Sequence, residues 1–546
     1  MSRAVLDHPV AEEAIRRWDE LKSTRAFHEP DWEDIARLIR PQRGGFSMNR
    51  PETRDLEKPL SSEPIMAQSS FASGIYASIT NPANRWAGLE TPDPELNAWK
   101  PMAEWNDLAT RRVLQSLAPT VSPFYSATFQ AYSDIAAFGN AAGYDELDTG
   151  KRKFVDVTMS LAEVVVDIDA HGRVNEMVRK FSLTPRAAVR EFGPDNLPDR
   201  VTEAAAKGDS GRITFYRHIR PNDNFVPGKL GHRGKPFLSI TACEEGRALV
   251  KVGGYGEMPV YFPRWDVDSG HTYGTGPGFI SLASARMVHQ MEAATLRAAQ
   301  FAADPVKLAP DRDAIPLDGV VRPGEMIYGG VNMRGQELVK NMTSNPNIGL
   351  TIEEKRAKVE AIKEAYHYAI MSLSGRTGIT SEESMIMEEA RLRNWAPHAD
   401  RIMEEYGARK IERRFRMLWR AGQIPPPPSE AAGLPLQVRY QSQATMALRA
   451  REGQAIRQFL NDLGPLAQLD PRYIDRMDPD GVTEALHDAS PTLPAKILRS
   501  REQADQIAQG RAQQQQLQQA MQTAQAGGGV VRDLASAMGQ GGNGGA

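Results

Sequence analysis

The sequence predicts an α+β protein that is mainly α-helical, and three observations support this class. Apolar residues recur at helical spacing through the first third of the chain. Between about residue 150 and residue 265 the period changes to two, which is typical of antiparallel strands. Two further helical patterns, at 280–303 and 351–372, flank a stretch punctuated by proline and glycine. At 546 residues the chain is long enough for three or four domains.

The N-terminal third is predicted to form amphipathic helices that pack together. Trp18 belongs to the first helix, and "EPDWEDIARLIRP" predicts the second, with Asp31 as its cap and Pro41 at its end. A third helix is expected in "PIMAQSSFASGIYASITNPANRW", and two more near 99–117 and 123–138. The apolar positions of the third helix are Met66, Phe71, Ile75 and Ile79.

The middle of the chain is predicted to be an antiparallel sheet with one inserted helix. Asp169–Gly172 supplies a hairpin turn between two of the strands. The inserted helix begins after Thr184, has Pro185 at its first position and ends at Gly193. The strand segments are "KFVDVT", "AEVVVDID", "RVNEMVRKF", "RITFYRHIR", "FLSITA" and "ALVKVGGYGEMPVYFPRW".

The loop "PRWDVDSGHTYGTGPGF", residues 263–279, links this sheet to the next helix. A phosphate-binding loop would need a lysine and a Ser or Thr after its glycines, and neither follows here. A calcium loop that starts at Asp266 would need a glutamate at its twelfth position, where Pro277 stands. We interpret the loop as a structural joint, with glycines where positive φ is needed and Pro277 just before a helix.

Two long helices are predicted on either side of an insert at 304–350, which is expected to be a small mixed α/β or β excursion. The helix at 280–303 carries a narrow stripe of mostly small residues, which would permit close helix approach. That stripe consists of Ser284, Val288, Met291, Thr295 and Ala298. The aligned apolar residues of the helix at 351–372 are Val359, Ile362, Tyr366 and Ile370.

A further long helix is predicted at 383–421, where Pro397 should kink or restart it. "PPPP" at 425–428 ends it, and short helices are expected beyond. The glutamine-rich segment near the C-terminus has too few apolar positions for a lone amphipathic helix, so it needs neighbouring copies to pack on it. The predicted buried face of the long helix consists of Trp395, Ile402, Tyr406, Ile411, Phe415 and Trp419.

Composition and charge argue against several classes of function. The 66 basic and 69 acidic residues leave a formal charge of −3, which would not draw the whole protein to nucleic acid or to an acidic membrane. Cys243 is the only cysteine, which excludes a disulfide framework and fits a reducing compartment. No apolar stretch approaches the length of a membrane span or a secretory signal.

No pattern in the sequence makes a positive case for catalysis. The ten histidines are scattered without zinc-site spacing, and no nucleophile elbow is present. We therefore predict no catalytic residues, no metal and no cofactor. Arg217, His218, Arg220 and "GHRGKP" at 231–236 form a basic patch, which we interpret as solvated surface rather than a nucleic-acid contact.

Four stretches between residues 16 and 278 carry a family resemblance that covers about residues 15–440. They are "RRWDELKSTRAFHEPDWEDIARLIRP", "FASGIYASITNPANRWAGLETPDPELN", "FYSATFQAYSDIAAFGNAAGY" and "MPVYFPRWDVDSGHTYGTGPG". The spaced string "RW....G..YG.GP" is the most specific of these motifs. The sequence resembles the portal, or head-to-tail connecting, proteins of short-tailed bacteriophages.

The resemblance implies a portal-type subunit divided into wing, stem, clip and crown. The stretch 1–279 would be a wing of helices plus antiparallel sheet, 280–303 the first stem helix, 304–350 the clip and 351–372 the second stem helix. The remaining parts would be a channel loop at 373–382, a long wing helix at 383–421, a crown at 422–499, and a C-terminal helical barrel with a disordered tail at 500–546.

The resemblance also implies sites and partners. Arg376, Lys355, Lys358 and Lys363 would face a DNA channel. The hinge from wing to stem would consist of Trp265, Tyr273, Gly274, Gly276 and Pro277. The expected partners are identical subunits in a ring of twelve, double-stranded DNA, terminase, a tail adaptor, and the major capsid and scaffolding proteins, with no membrane. The protein would be assembled in the host cytoplasm and reside in the virion at the portal vertex.

Two other classes of function stay open from the sequence. One is a monomeric cytoplasmic scaffold or adaptor, for which the proline run and helical tail would bind partners. The other is a nucleotide-dependent enzyme acting on DNA, which the missing phosphate motif disfavours. A ring of subunits distinguishes a portal from a monomeric adaptor.

Overall fold

The computed structural model describes most of the chain in two compact units. The first unit comprises residues 1–86 and 113–423, and the second comprises residues 87–112 and 424–546. The described residues are 6–46, 60–83, 85–148, 153–303, 307–308, 334, 336, 340–341, 348–368, 397–431, 433, 436–440, 443–469, 477–489, 497, 499, 503–504, 506–516 and 518.

Helices dominate the described residues, and short antiparallel strands complete them, which confirms the predicted α+β class. The α-helices are α1 (Pro9–Arg25), α2 (Glu29–Leu38), α3 (Glu63–Ile79), α4 (Pro94–Ala98), α5 (Lys100–Leu117), α6 (Phe124–Phe138), α7 (Pro185–Phe192), α8 (Asp199–Lys207), α9 (Pro277–Ala303), α10 (Ile348–Ala365), α11 (Arg409–Arg420), α12 (Gln443–Leu469) and α13 (Pro479–Asp488). A π-helical segment, Met403–Ala408, leads into α11.

The strands form separate antiparallel sheets. They are β1 (Ala87–Glu90), β2 (Ala142–Asp148), β3 (Lys153–Met159), β4 (Val164–Ile168), β5 (Val174–Leu183), β6 (Ile213–Pro221), β7 (Phe237–Cys243), β8 (Ala248–Tyr255), β9 (Val260–Tyr261), β10 (Lys307–Leu308), β11 (Lys340–Asn341) and β12 (Gln437–Tyr440). Strands β4 to β8 make a five-stranded sheet in chain order, and β3, β2 and β9 make a three-stranded one. The hairpin turn is confirmed, since Asp169 N–H donates to Arg173 O at 2.8 Å and Gly172 has φ +74°.

Helix α1 covers one face of the five-stranded sheet. Trp18 and Leu21 form a small core with Val165, Val178 and Tyr216 of the sheet. Arg25 at the end of α1 is fully buried, and its guanidinium donates to Leu161 O, Ala162 O and Val164 O at 2.8–3.1 Å. A buried arginine is tolerated because its donors find acceptors.

The main core of the first unit brings together α2, α3, α6, both β-layers, α9 and α10. Trp32 lies at its centre and contacts Phe46 and Tyr273, with ring centroids 5.5 Å apart in each case. Phe71, Ile75 and Ile79 of α3 are buried as predicted. The sequence pattern therefore identified the helices that build this core.

Several local predictions are wrong. Met66 is 56% exposed instead of lying on the buried face of α3. Asp31 lies inside the first turn of α2, which begins at Glu29, and pairs with Arg286 instead of capping the helix. Helix α10 ends at Ala365, short of the predicted residue 372, because His367 adopts a left-handed φ of +48°.

The sheet region contains a helix that the sequence pattern did not reveal. Helix α8 follows α7 and is only nine residues long, and Val201 is its one buried residue, so a single apolar side chain marks it in the sequence. Strands β1 and β2 were also missed; β2, "AGYDELD", opens with four consecutive buried residues and does not alternate. Apolar periodicity does not predict an element in which very few side chains are buried or in which consecutive side chains are all buried.

The second unit has its own contacts. Strands β1 and β12 pair antiparallel, with Leu89 opposite Val438. Leu89 N–H donates to Thr110 Oγ1 at 3.0 Å, and Trp105 Nε1 donates to Pro425 O at 2.9 Å. Segments far apart in sequence therefore build this unit together. The wing, clip and crown boundaries drawn from the sequence remain predictions.

Candidate functional site

Helices α9 and α10 lie side by side as an antiparallel pair. Glu292 of α9 forms an ion pair with Lys355 of α10, and the hydroxyl of Tyr366, the residue just after α10, lies close to Ser281 at the other end of α9. Because residue numbers rise along one helix as they fall along the other, the two helices run in opposite directions. The buried residues of the pair are Ser281, Leu282, Ala285 and Val288 from α9, Val359 and Ile362 from α10, and Tyr366 just after it.

The structure confirms the predicted apolar stripes of these two helices only in part. Val359, Ile362 and Tyr366 are buried as predicted, whereas Ile370 lies outside the described residues. On α9 only Val288 of the predicted stripe is fully buried, and the other four positions are half-buried. The buried face of α9 is rotated toward Leu282 and Ala285, because this helix also packs on α2 and α6.

The opposite face of α9 carries apolar side chains that are exposed in one subunit. Ile280 is 69% exposed, Phe279 47% and Met287 40%. Helices of monomeric proteins normally turn such side chains inward. This face is therefore unpartnered within the described part of a single chain.

The joint before α9 is a closed loop held against the end of α6. Asp266 and Thr275 exchange backbone hydrogen bonds at 3.2 and 2.8 Å, and Trp265 N–H donates to Gly139 O at 2.8 Å. Asn140 fixes Gly274 twice: its Nδ2 donates to Gly274 O at 2.7 Å, and Gly274 N–H donates to Asn140 Oδ1 at 2.8 Å. These bonds leave the joint little freedom.

Glycine is required in this joint because backbones meet without room for side chains. A Cβ on Gly276 would lie 2.7 Å from Gly139 Cα, and one on Gly278 would lie 1.9 Å from Ala137 O. Gly139 itself has φ +72° at the end of α6. Gly276 and Gly278 of the 263–279 loop thus allow α9 to start directly on the end of α6.

The aromatic residues predicted for the hinge are buried in the joint. The Trp265 ring stacks on His398 with centroids 4.5 Å apart and contacts Phe71 at 5.3 Å. Burial raises the pKa of the Tyr273 hydroxyl to about 12, although the charge of Arg25 opposes this shift. The five residues predicted for the hinge lie together here, and their role as a hinge stays a prediction.

A buried ionic network, missed by the sequence analysis, fastens α11 to the three-stranded sheet. Lys410 Nζ lies 2.9 Å from Asp156 Oδ1, and Arg414 Nη2 lies 2.7 Å from Asp156 Oδ2. Arg413 Nε lies 2.7 Å from Asp145 Oδ1. All five side chains are buried, and we refer to them as the α11 ionic network.

Charge pairing keeps this network ionised. Burial alone would raise the pKa of Asp156, but the charges of Lys410 and Arg414 hold it well below its usual range. The pKa of Lys410 is raised although burial opposes this, because Tyr406, Asp156 and Asp145 surround it. Chain order offered no sign of the network because its acids and bases lie more than 250 residues apart.

The residues predicted to face a channel fall in different places. Lys355 pairs with Glu292 across the helix pair, and Lys363 pairs with Glu360 on the same helix at 2.7 Å. Lys358 is half-buried on α10. Arg376 and the whole of 373–382 lie outside the described residues, so their role as a channel loop stays a prediction.

The described residues contain neither a candidate metal site nor a candidate membrane span. No group of three or more His, Cys, Asp or Glu side chains in that part of the chain is arranged to hold a metal ion. None of the helices described combines the length and mean hydropathy that a membrane span requires.

Comparison with known proteins defines the class of this chain. The profile of the family described as "Bacteriophage head to tail connecting protein" matches residues 11–498, nearly the whole chain. The chain therefore belongs to this family, which confirms the resemblance drawn from the four motifs.

The individual relatives point the same way. The "Portal protein" of Salmonella phage epsilon15 is 27% identical over 526 residues, which cover 94% of this chain and 93% of that protein. The "Probable portal protein" of Bordetella phage BPP-1 is 26% identical over 522 residues, covering 93% and 92%. A solved structure titled "Neck of empty GTA particle computed with C6 symmetry" matches 72% of this chain and 86% of its own, with 11% identity and a TM-score of 0.35. The family match and the two phage relatives support a structural role at the head-to-tail junction, and they do not favour the adaptor and enzyme alternatives.

Proposed function

We propose that this chain is a portal subunit, twelve copies of which close into a ring at one vertex of a phage capsid. The observation that carries the proposal is the family match over residues 11–498, together with two antiparallel helices of which the first, α9, starts directly on the end of α6. Copies related by a fixed rotation form a closed ring with a central opening. The genome would enter and leave through that opening.

The exposed face of α9 supports the assignment of this helix to the wall of the ring. In a head-to-tail ring each subunit presents one surface to a different surface of its neighbour. Phe279, Ile280 and Met287 are 40–69% exposed in one subunit and would be covered by the next. Burial of such apolar surface is the main favourable term in association.

The charges of α10 suit a channel along which DNA slides. Two of its three predicted channel lysines, Lys355 and Lys363, already pair with glutamates. Unpaired cations would bind phosphates with release of counterions and slow the movement of DNA. The wall would then contact DNA weakly, and Arg376 would lie in the loop nearest to it.

Further partners follow from the proposed position. The ring would bind terminase during packaging, a tail adaptor afterwards, and the major capsid and scaffolding proteins during assembly in the host cytoplasm. The subunit would need no cofactor and catalyse no reaction, because the motor bound to it would supply the chemical energy for packaging.

The channel assignment is tested with alanine substitutions at Lys355, Lys358 and Lys363 combined, and separately at Arg376. Native mass spectrometry is expected to show intact rings for both variants. The triple variant is expected to change retention of packaged DNA less than Arg376→Ala does, because two of its lysines are already paired. Loss of rings in Arg376→Ala, with no specific effect on DNA, would contradict the channel-loop role.

A further inference from the structure

The loop between β6 and β7, residues 222–236, is folded by its own hydrogen bonds. Asn222 closes its base: the backbone N–H donates to Pro236 O at 2.8 Å, and Nδ2 donates to Lys235 O at 2.8 Å and His232 O at 3.0 Å. Val226 N–H donates to Arg233 O at 2.8 Å. We call this segment the β6–β7 loop, and a partner could bind it without first ordering it.

The β6–β7 loop turns apolar side chains into solvent. Leu230 at its tip is 97% exposed, Val226 41% and Phe225 39%. Single exposed apolar residues are ordinary on protein surfaces. Here three exposed apolar residues lie within six positions of a hydrogen-bonded loop, and together they form a compact apolar surface for a partner.

The same loop is positively charged and lacks compensating acids. In the described structure no ion pair involves Lys229, Arg233 or Lys235. The loop's one acid, Asp223, is paired at 2.7 Å with Arg220, which lies at the end of β6. The basic patch predicted from the sequence therefore has two parts. Its residues in β6 contact other side chains of the same chain, whereas its residues in the loop lie at the surface. His218, for example, is buried and lies 2.7 Å from Glu176.

We propose that the β6–β7 loop is a docking site for an acidic polypeptide segment that carries an apolar side chain and belongs to another protein. Such a segment would cover Leu230 and pair with Lys229 and Arg233. DNA would pair with the cations but leave Leu230 uncovered. An anionic membrane usually attracts clusters of about 4–8 Lys or Arg, and this loop has three. The inference does not depend on the proposed portal function, because it concerns one loop of one subunit.

The probe for the test is a random peptide library displayed on filamentous phage and selected against the immobilised full-length protein. Counter-selection uses the double variant Lys229→Glu, Leu230→Ser. The enriched peptides are expected to combine Asp or Glu with an aliphatic or aromatic residue. Their affinity, measured by fluorescence anisotropy, is expected to fall by about tenfold for Lys229→Glu and for Leu230→Ser, each introduced alone. A loss of this size is typical of a central interface contact.

A matched control separates the loop from a general charge effect. Lys207→Glu makes the same charge change on the exposed end of α8 and is expected to leave peptide affinity unaltered. Leu230 is almost fully exposed, so the variants should fold normally, which circular dichroism checks. The proposal is overturned if no peptide depends on the loop. It is also overturned if a DNA duplex, or vesicles of equimolar phosphatidylcholine and phosphatidylserine, bind the loop more tightly than the selected peptides.

Discussion

At the scale of single residues, Lys410 and Arg414 of α11 are at most 1% exposed, and both contact Asp156. Trp18, Trp32 and Phe71, which helical spacing identified from the sequence, are at most 3% exposed. Lys410 and Arg414 were missed because charged residues on a helix are ordinarily assigned to its solvent face. Their partner Asp156 lies on a distant strand, and single-sequence periodicity contains no information about such pairs.

Loss of one member of the α11 ionic network should destabilise the subunit strongly. Asp156→Asn would leave Lys410 and Arg414 buried without a counterion, and we expect the free energy of unfolding to fall by about 3–5 kcal/mol. Urea titration at a fixed protein concentration, followed by tryptophan fluorescence, measures the change.

The control for this prediction is an exposed pair. Glu203→Gln removes the partner of Lys207 at the surface of α8 and should change the free energy of unfolding by less than about 1 kcal/mol. Equal effects of the two substitutions would mean that the buried network does not stabilise the fold as argued.

At the scale of elements, long periodic helices and alternating strands were predictable, whereas their joints and ends needed the structure. The pattern at 280–303 located α9, but its start at Pro277 depends on backbone contact with the end of α6. The early end of α10 at Ala365 depends on the backbone of one residue, His367. The predicted burial of Trp419 is wrong. This residue fits the apolar pattern of α11, yet it is 39% exposed and stacks on Phe415 with ring centroids 5.9 Å apart.

The joint should not tolerate a methyl group at Gly278. Gly278→Ala places a Cβ about where Ala137 O now lies, so α9 must move away from α6. We expect a loss of about 1–3 kcal/mol in the free energy of unfolding, as for other overpacked sites, and weaker ring assembly in native mass spectrometry.

Gly253→Ala is the matched control, because its added Cβ would meet no atom within 4 Å. The control should assemble like the unsubstituted protein. Normal stability and assembly of Gly278→Ala would show that the joint does not set the position of α9.

At the scale of the whole molecule, the family was recognisable from sequence motifs, but an assembly is not visible in one chain. The motif "RW....G..YG.GP" and the other three quoted stretches identified a head-to-tail connecting protein, and the family match confirms this identification. Subunit number, by contrast, depends on the angle between neighbouring copies. That angle is a property of an interface between chains.

Electron cryomicroscopy of the purified full-length protein, viewed along the ring axis, tests the central claim most directly. We predict a closed ring of twelve subunits whose axial opening is lined by α9 and α10, with Ile280 and Met287 covered by the adjacent subunit. Particles that remain single subunits at all concentrations, or rings with these two helices far from the opening, would contradict the claim.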